Sequence, residues 1–301
     1  LYNGGAALLR AMSNSRASMV AALVMNVVNV AGNALMIFGL KMEVAGAAIA
    51  SLVARVIGAV IVVRLLLDKH LPVHLVNPLR PEPDRAMIGR IFRLGIPSGV
   101  ENSIFQIGKL LVAGVTSTLG ESLIAANAVG NSVASFCNLP GNAVGLALVT
   151  VVGQCVGAGC PQQARFYTRK LMALVYGCLA AAYAGLFAFT PQVVGAFHLS
   201  QEALDAAVAI LRWYAGVAVV LWPVSFTLPN ALRAAGDVKF TMLTGIISMW
   251  LFRVLCSYIL AVVCNMGLLG VWFGMFIDWI CRGICFWARF LSGKWMEHKV
   301  I

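Results

Sequence analysis

The chain has 301 residues, of which 61% are hydrophobic and 11% charged, whereas an ordinary soluble domain carries about 25% charged residues. This composition excludes a soluble globular protein and indicates an integral membrane protein. Long apolar runs without alternating ten-residue segments favour a helical bundle over an outer-membrane barrel. The net charge of +11 would suggest nucleic-acid binding in a soluble protein, but here the position of each basic residue matters more, so no nucleic-acid partner is expected.

In chain order, the sequence predicts one helix tail and eight membrane spans. About 20 apolar residues cover the hydrocarbon core of a bilayer. The predicted spans are residues 17–38, 44–67, 91–119, 122–156, 166–189, 206–232, 240–263 and 268–291. Residues 69–90, which are rich in proline and charge, predict a cytoplasmic linker. We therefore expect an all-α, two-lobe membrane bundle, with residues 1–68 as the end of an N-terminal lobe and residues 91–301 as a complete C-terminal six-helix lobe.

Polar amides interrupt the apolar runs and are candidates to line a substrate cavity. Three of them lie three and four residues apart in the first span and therefore stripe one helix face. Buried amides in lipid need partners, so hydrogen bonds between helices explain the same pattern equally well. The cavity candidates are Asn26, Asn29, Asn33, Gln106, Lys109, Asn127, Asn131 and Asn138.

The predicted span 91–119 carries Glu101 and Lys109 within otherwise apolar sequence. A carboxylate at membrane depth must be neutralised by a proton, a bound cation or a basic partner, and each of these makes it a switch. We therefore predict that Glu101 couples transport to an ion. The alternative is a structural ion pair with Lys109, which lies eight residues further along roughly the same helix face.

The predicted span 122–156 is too long for one straight crossing. Pro140 removes a backbone hydrogen bond and Gly141 loosens the helix, so a kink or break is expected there. In the span 206–232, Pro223 and Pro229 likewise free backbone carbonyls that could face a cavity.

Three further charged residues, Arg253, Asp278 and Arg282, lie within the last two spans. Asp278 and Arg282 are four residues apart, so the carboxylate can neutralise an arginine locally, and we expect a structural ion cluster. No metal site is expected, because Pro72 disfavours a helix that would bring His70 and His74 together. The eight cysteines form no CxxC motif, and no disulfide framework is implied.

Most of the Lys and Arg residues fall on one side if the predicted spans alternate in direction. That side is then cytoplasmic, in a multi-pass protein of the inner or plasma membrane. Residues 8–19 also resemble residues 231–242, and both segments precede a long span and a glycine-containing second span. This pattern predicts two parallel repeats, each a six-helix bundle.

Several motifs resemble the multidrug and toxic compound extrusion (MATE) family. They are Leu-Pro-Asn-Ala-Leu-Arg-Ala-Ala-Gly-Asp at 228–237, Phe252-Arg253, Met-Gly-Leu-Leu-Gly-Val-Trp at 266–272, Asp278-Trp279 with Arg282, Gly-Ile-Pro at 95–97 and Leu8-Leu9-Arg10-Ala11. The resemblance covers essentially the whole chain, from the end of the family's fourth helix through its twelfth. It implies a fragment that lacks the first three helices and most of the fourth.

The resemblance implies a secondary antiporter that exports organic, chiefly cationic, drugs or metabolites by alternating access without ATP. The coupling ion would be H⁺ or Na⁺, with no other cofactor, and the partners would be membrane lipid and small organic substrates of a monomer. Family members commonly carry an acidic residue in the seventh helix. In some branches its position corresponds to the neighbourhood of Phe105 or Gln106 rather than to Glu101. The acid that some branches carry in the tenth helix is absent from residues 206–232, so the choice of ion stays open.

Two other functions compete with drug export. A lipid-linked oligosaccharide flippase of a related two-lobe fold would have a more cationic cavity. A membrane-embedded enzyme would need a constellation of His, Asp or Cys at membrane depth, but all four histidines fall in predicted connectors or the tail. No GxxxxGK[ST] loop is present, which argues against a built-in ATP motor. We expect the protein not to be an enzyme.

Overall fold

The computed structural model describes residues 1–76 and 84–297, and over these ranges the chain is almost entirely helical. It divides into two units, Leu1–Asp84 and Arg85–Ile301. Part of the predicted linker, including Arg80 and Pro81, lies outside the described residues, as does His298.

The described part of the first unit consists of three helices. They are α1 (Tyr2–Ala11), α2 (Ser15–Asn33, continued by π-helical turns at Ala34–Gly39) and α3 (Glu43–Leu66). The side chain of Asn14 accepts a hydrogen bond from the backbone N–H of Ala17 at 3.3 Å and so caps the start of α2. The buried side chains of Leu9, Ala21 and Val62 form the small core that joins the three helices.

The second unit contains most of the buried core. Its described helices are α4 (Arg85–Ser117), α5 (Glu121–Cys137), α6 (Leu139–Gly157), α7 (Pro161–Gly195), α8 (Gln201–Trp222), α9 (Leu228–Ala234), α10 (Val238–Ile247), α11 (Leu255–Tyr258) and α12 (Gly267–Ser292). π-Helical segments join α8 to α9 (Pro223–Thr227) and α10 to α11 (Ser248–Val254), and another extends α11 (Ile259–Val263). The central helices α8 and α12 pack together and bury Tyr214, Trp272 and Trp279.

The end of the predicted linker is helical, contrary to expectation. Helix α4 begins at Arg85, so residues 85–90 belong to a helix rather than to a connector. The physical reason is that no proline occurs between Pro83 and Pro97, which leaves a run of helix-compatible residues before the apolar segment. The lobe boundaries themselves stay a prediction.

The expected break in the span 122–156 occurs at Asn138. Helix α5 ends at Cys137 and α6 begins at Leu139, with Pro140 in its first turn, where the missing backbone N–H does no harm. Gly141 packs against Trp222, because a Cβ at this glycine would lie 2.2 Å from the indole ring. The glycine thus admits a bulky aromatic side chain from α8.

Two glycines of α12 allow its close approach to α11 and the π-helical turn after it. A Cβ on Gly270 would lie 2.5 Å from the backbone nitrogen of Ala261, and one on Gly274 would lie 2.6 Å from that of Ser257. The spacing Gly-x-x-x-Gly is the one that brings helix backbones together in membranes.

Seven helical segments of the described chain are long and apolar enough to cross a membrane. They are Ser15–Gly39, Glu43–Leu66, Leu139–Gly157, Pro161–Gly195, Gln201–Ala234, Val238–Val263 and Gly267–Ser292. The predicted span 91–119 forms helix α4 but is not among them. Glu101, Gln106 and Lys109 lower the hydropathy of its middle, so length and composition alone do not identify it as a span.

Candidate functional site

A polar cavity of about 310 Å³ lies within the second unit, bordered by α4, α5, α12 and the π-helical segment Ser248–Val254. Its polar lining consists of Lys109, Thr116, Asn127, Asn131, Ser135 and Arg253, and Trp272 and Met275 contribute apolar surface. The same unit also has larger hollows of about 800 and 500 Å³, which are lined by apolar and aromatic side chains. Binding sites combine apolar walls with a few convergent polar groups, so the smaller, polar cavity is the candidate site.

A hydrogen-bond network orients the amides of this cavity. The Trp272 Nε1 donates to Asn127 Oδ1 at 3.1 Å, and the Asn131 Nδ2 donates to the same oxygen at 3.1 Å and to the Asn127 backbone carbonyl at 2.9 Å. Because an indole N–H can only donate, the Asn127 atom beside it must be the carbonyl oxygen. The NH₂ group of Asn127 is therefore the part of this side chain that can donate to a ligand.

Three cationic side chains gather around the ring of Phe105. The Lys109 Nζ lies 5.2 Å from the ring centroid, and the guanidinium carbons of Arg253 and Arg282 lie 5.7 and 5.3 Å from it. A cation over an aromatic face gains about 0.5–1 kcal/mol at an exposed site and more where water is excluded. The ring therefore offsets part of the positive charge that the fold concentrates here.

Among the described residues, Asp278 is the carboxylate that pairs with the arginines of this cluster. It is fully buried, and the Arg282 Nη2 donates to its two oxygens at 3.1 and 3.2 Å. The Arg253 Nη1 lies 3.9 Å away, too far for a hydrogen bond but within ion-pair range. The hydroxyl of Ser248 contacts a carboxylate oxygen of Asp278 and lies 3.1 Å from its backbone carbonyl. The structure thus brings together the three residues of the predicted ion cluster.

Arg253 belongs to both the ion cluster and the cavity wall. It lies in the π-helical segment Ser248–Val254, whose wider turn changes the directions of side chains relative to an α-helix. Its Nε is buried and has no hydrogen-bond partner among the described residues. Arg253 therefore retains a donor that the ion cluster does not use.

Asn138 lies at the break between α5 and α6, outside the cavity lining. Its carbonyl oxygen accepts from the hydroxyl of Tyr183, and the Tyr214 hydroxyl lies 2.8 Å from its Nδ2 and 3.1 Å from its Oδ1. The two tyrosine rings meet edge to face at 5.7 Å. The geometry gives Asn138 structural contacts with α7 and α8, and its contact with a substrate stays a prediction.

Glu101 pairs with Arg233, and the predicted alternative of a pair with Lys109 is wrong. The Arg233 Nη2 lies 2.6 Å from the Glu101 Oε1, and the glutamate side chain is 12% exposed. Lys109 is eight residues from Glu101, about 12 Å along a helix axis, whereas Arg233 at the end of α9 reaches the carboxylate directly. Glu101 also does not line the polar cavity.

The remaining candidates lie elsewhere. Gln106 is exposed and does not line the cavity, and Asn26 is exposed in the first unit. Asn29 donates to the hydroxyl of Ser51 at 3.1 Å and accepts from Asn33 at 3.2 Å. The bond from Asn29 to Ser51 joins α2 to α3, which matches the alternative of hydrogen bonds between helices. No cluster of three His, Cys, Asp or Glu that could hold a metal occurs in residues 1–76 and 84–297.

Comparison with known proteins identifies the family. The MatE family model matches residues 97–259, which is more than half of the chain. The chain belongs to the MatE family. The coordinates agree, because a MATE transporter structure in an outward-facing conformation superposes with a TM-score of 0.84 at 22% identity, covering 97% of this chain and 65% of that one. Helix composition and family membership together make this a multi-pass membrane protein.

Two curated relatives cover nearly the whole chain. One is an uncharacterized transporter, YisQ of Bacillus subtilis (strain 168), which is 25% identical over 300 residues, covering 97% of this chain and 64% of the relative. The other is a probable multidrug resistance protein, NorM of Thermotoga maritima, at 27% identity over 301 residues, covering 98% and 64%. The chain therefore spans a little under two thirds of the length of these two relatives.

One further structure has the same fold. A MOP superfamily transporter from Pyrococcus furiosus, described as having a binding pocket of reversed polarity that suggests a different function, superposes with a TM-score of 0.86 at 21% identity. The match covers 99% of this chain and 67% of that one. This likeness shows the shared fold.

Sequence reasoning missed part of this candidate site. It assigned Arg253 to the ion cluster alone and did not include Thr116, Ser135 or Trp272 among the candidates. The available signal for Arg253 was its mid-span position, where an ionisable residue marks a functional site by default. Trp272 offered no such signal, because an aromatic residue in an apolar span usually packs in the core.

Proposed function

We propose that the protein exports small organic compounds across the cell membrane as a MATE transporter. The supporting observation is an open polar cavity between apolar helices, in a chain whose relatives are named as transporters and multidrug resistance proteins. Relatives of this kind are not enzymes. The proposal places the basic connectors in the cytoplasm.

Export by this protein would use alternating access between two lobes, driven by an ion gradient rather than ATP. A ligand shifts an equilibrium between two conformations only by its differential affinity for them. If a proton or Na⁺ favours one conformation and the substrate favours the other, the ion and the substrate are exchanged across the membrane.

Glu101 is our candidate for the coupling acid. Its carboxylate is largely buried and pairs with Arg233, and it lies against α10, where a Cβ on Gly245 would come within 2.8 Å of its Oε1. A proton or a cation bound to Glu101 would compete with Arg233 for the same oxygen. Ion binding would therefore release the link between α4 and α9 and favour a different packing of these helices.

Efflux by the complete natural protein tests this function. Cells without their own exporters would express it, and efflux of ethidium and norfloxacin would be followed with and without Na⁺ and with and without a proton gradient. Export that depends on one of the two gradients supports the proposal. The proposal is contradicted if, with both gradients present, cells with the protein retain as much ethidium and norfloxacin as cells without it.

The variant Glu101→Gln tests the coupling acid, with Glu121→Gln as the control because Glu121 is an exposed acid at the start of α5. We expect Glu101→Gln to abolish the dependence of efflux on the driving ion, while Glu121→Gln retains it. Efflux by Glu101→Gln that is weaker but still gradient-dependent would assign the Glu101–Arg233 pair a purely structural role.

A second candidate function is the export of a lipid-linked oligosaccharide. The observation in its favour is that the cavity lining includes two basic side chains, Lys109 and Arg253, as a pyrophosphate-linked substrate requires. Transport of a short-chain lipid pyrophosphate oligosaccharide into proteoliposomes tests it. If that substrate moves and ethidium and norfloxacin do not, flipping replaces drug export.

A further inference from the structure

We propose that the cavity of the second unit binds the acidic group of an organic anion, a carboxylate or a phosphate, between Lys109 and Arg253. This inference rests on the proposed function, since the bound anion is taken to be the transported compound. It replaces the expectation of a chiefly cationic substrate.

The charges of the site favour an anion. Both charged residues of the lining are basic, and no carboxylate is among the described residues that line the cavity. The neighbouring cluster adds Arg282. Of the three cations around Phe105, Arg282 and Arg253 pair with Asp278, and Lys109 has no carboxylate within ion-pair distance among the described residues. A cationic compound would enter a region that already carries excess positive charge, whereas an anion would neutralise it.

The hydrogen-bond donors of the site are also available to an anion. Arg253 lines the cavity, and its Nη1 has only the 3.9 Å contact with Asp278 among the described residues. Lys109 contacts the face of Phe105 and has no carboxylate within ion-pair distance among the described residues. Asn127 accepts from Trp272 and Asn131 through its oxygen and so offers its NH₂. Each of these groups donates, and an anionic oxygen accepts.

The rest of the wall suits an aromatic or aliphatic body. Trp272 lies in the lining with its N–H fixed by Asn127, and Val271 and Met275 lie beside it on α12. Indole and thioether surfaces accept flat or irregular apolar groups. A volume of about 310 Å³ lies at the small end of the range of ligand pockets, about 300–1,000 Å³, and fits a two-ring compound better than a large drug.

Binding to the complete natural protein in nanodiscs of neutral phosphatidylcholine tests the inference. Three probes would be titrated by calorimetry: 2-naphthoate, its cationic counterpart 2-naphthylmethylammonium, and dihexanoyl phosphatidate as a lipid phosphate. We expect an anion to bind at least tenfold more tightly than the cation. Tighter binding of 2-naphthoate identifies a soluble aromatic anion as the ligand, and tighter binding of the phosphatidate identifies a lipid headgroup.

Substitution of Lys109 shows whether binding occurs in this cavity. Lys109→Gln should weaken anion binding by about tenfold or more, as expected for a hydrogen bond to a charged group. Lys109→Arg should retain it and shows that the site is folded. The matched control is Lys170→Gln, because Lys170 also lies over a phenylalanine four residues earlier, Phe166 at 5.7 Å, but outside the cavity.

The outcomes separate this inference from the proposed function. Tighter binding of the cation, equal loss of anion affinity in Lys109→Gln and Lys170→Gln, or no anion binding at millimolar concentration overturns the anion site. If the anion site fails while ethidium is exported, the proposed function stands with a different substrate class. If anions bind through Lys109 but no compound is exported, the site stands and the transport function fails.

Discussion

The buried carboxylate Asp278 is expected to be the charge that stabilises the second unit most. Replacing it with asparagine keeps the size of the side chain and one acceptor oxygen but removes the negative charge. Arg282 would then lose its ion pair, and Arg253 would lose the nearby charge at 3.9 Å. The change tests whether the cluster depends on charge rather than on shape.

The size of the effect follows from burial and distance. Asp278 is 0% exposed, and the side chains of Arg282 and Arg253 are 5% and 12% exposed, so water cannot replace the lost partner. Two charges about 4 Å apart at an effective dielectric constant of about 20 attract each other by about 4 kcal/mol. Removing one partner of a buried pair costs about 3–5 kcal/mol, because the other charge stays buried. We expect Asp278→Asn to destabilise the protein by about this amount.

Thermal unfolding followed by tryptophan fluorescence in detergent measures the loss, with Glu121→Gln as the control at an exposed acid. The apparent unfolding temperature should fall by about 10 °C for Asp278→Asn and stay unchanged for the control. The double variant Asp278→Asn with Arg253→Gln should recover part of the loss, because one buried cation is removed as well. An unfolding temperature of Asp278→Asn equal to that of the unmodified protein would refute the argument from charge.

Two further predictions concern packing and use the same unfolding measurement. Gly274→Ala should lower the unfolding temperature because its Cβ would lie 2.6 Å from the backbone of α11. The control Gly177→Ala, whose Cβ would have nothing within 4 Å, should leave the unfolding temperature unchanged or raise it. Equal shifts in the two variants would contradict the packing argument. Asn138→Leu should destabilise the protein by about 1–3 kcal/mol because the buried hydroxyls of Tyr183 and Tyr214 lose their partner. Replacing both tyrosines by phenylalanine in that variant should restore stability, and no recovery would show that the hydroxyls are not the cause.

The sequence predicted the helices well because their signal is local. Hydrophobic length identifies spans such as 44–67, and Pro140 identifies the break between α5 and α6. Motifs at 95–97 and 228–237 indicated the family that the MatE match then established. The start of α4 was misplaced because the charged segment after Pro83 can be either a connector or the first turns of a helix, and composition does not separate the two.

The site was harder to predict because its contacts join distant parts of the chain. Arg233 reaches Glu101 across 132 residues of sequence, and Trp272 reaches Asn127 across 145. Spacing on one helix finds only near neighbours, which is why the pair of Asp278 with Arg282 was expected and the partner of Glu101 was not. Three of the eight cavity candidates, Lys109 among them, do line the cavity, since polar residues in apolar spans need a polar environment.

Ion pairing separates the basic residues that hold the second unit together from those available to a ligand. Three buried or half-buried carboxylates each have an arginine within 2.6–3.1 Å: Glu101 with Arg233, Asp237 with Arg289, and Asp278 with Arg282. These pairs satisfy the charges that the fold itself buries. Lys109 and Arg253 have no such close carboxylate among the described residues, yet both lie on the polar cavity. Holding Lys109 and Arg253 near each other, with Asp278 already paired closely to Arg282, is unfavourable for the protein alone, so a substrate that brings a negative charge would stabilise this arrangement.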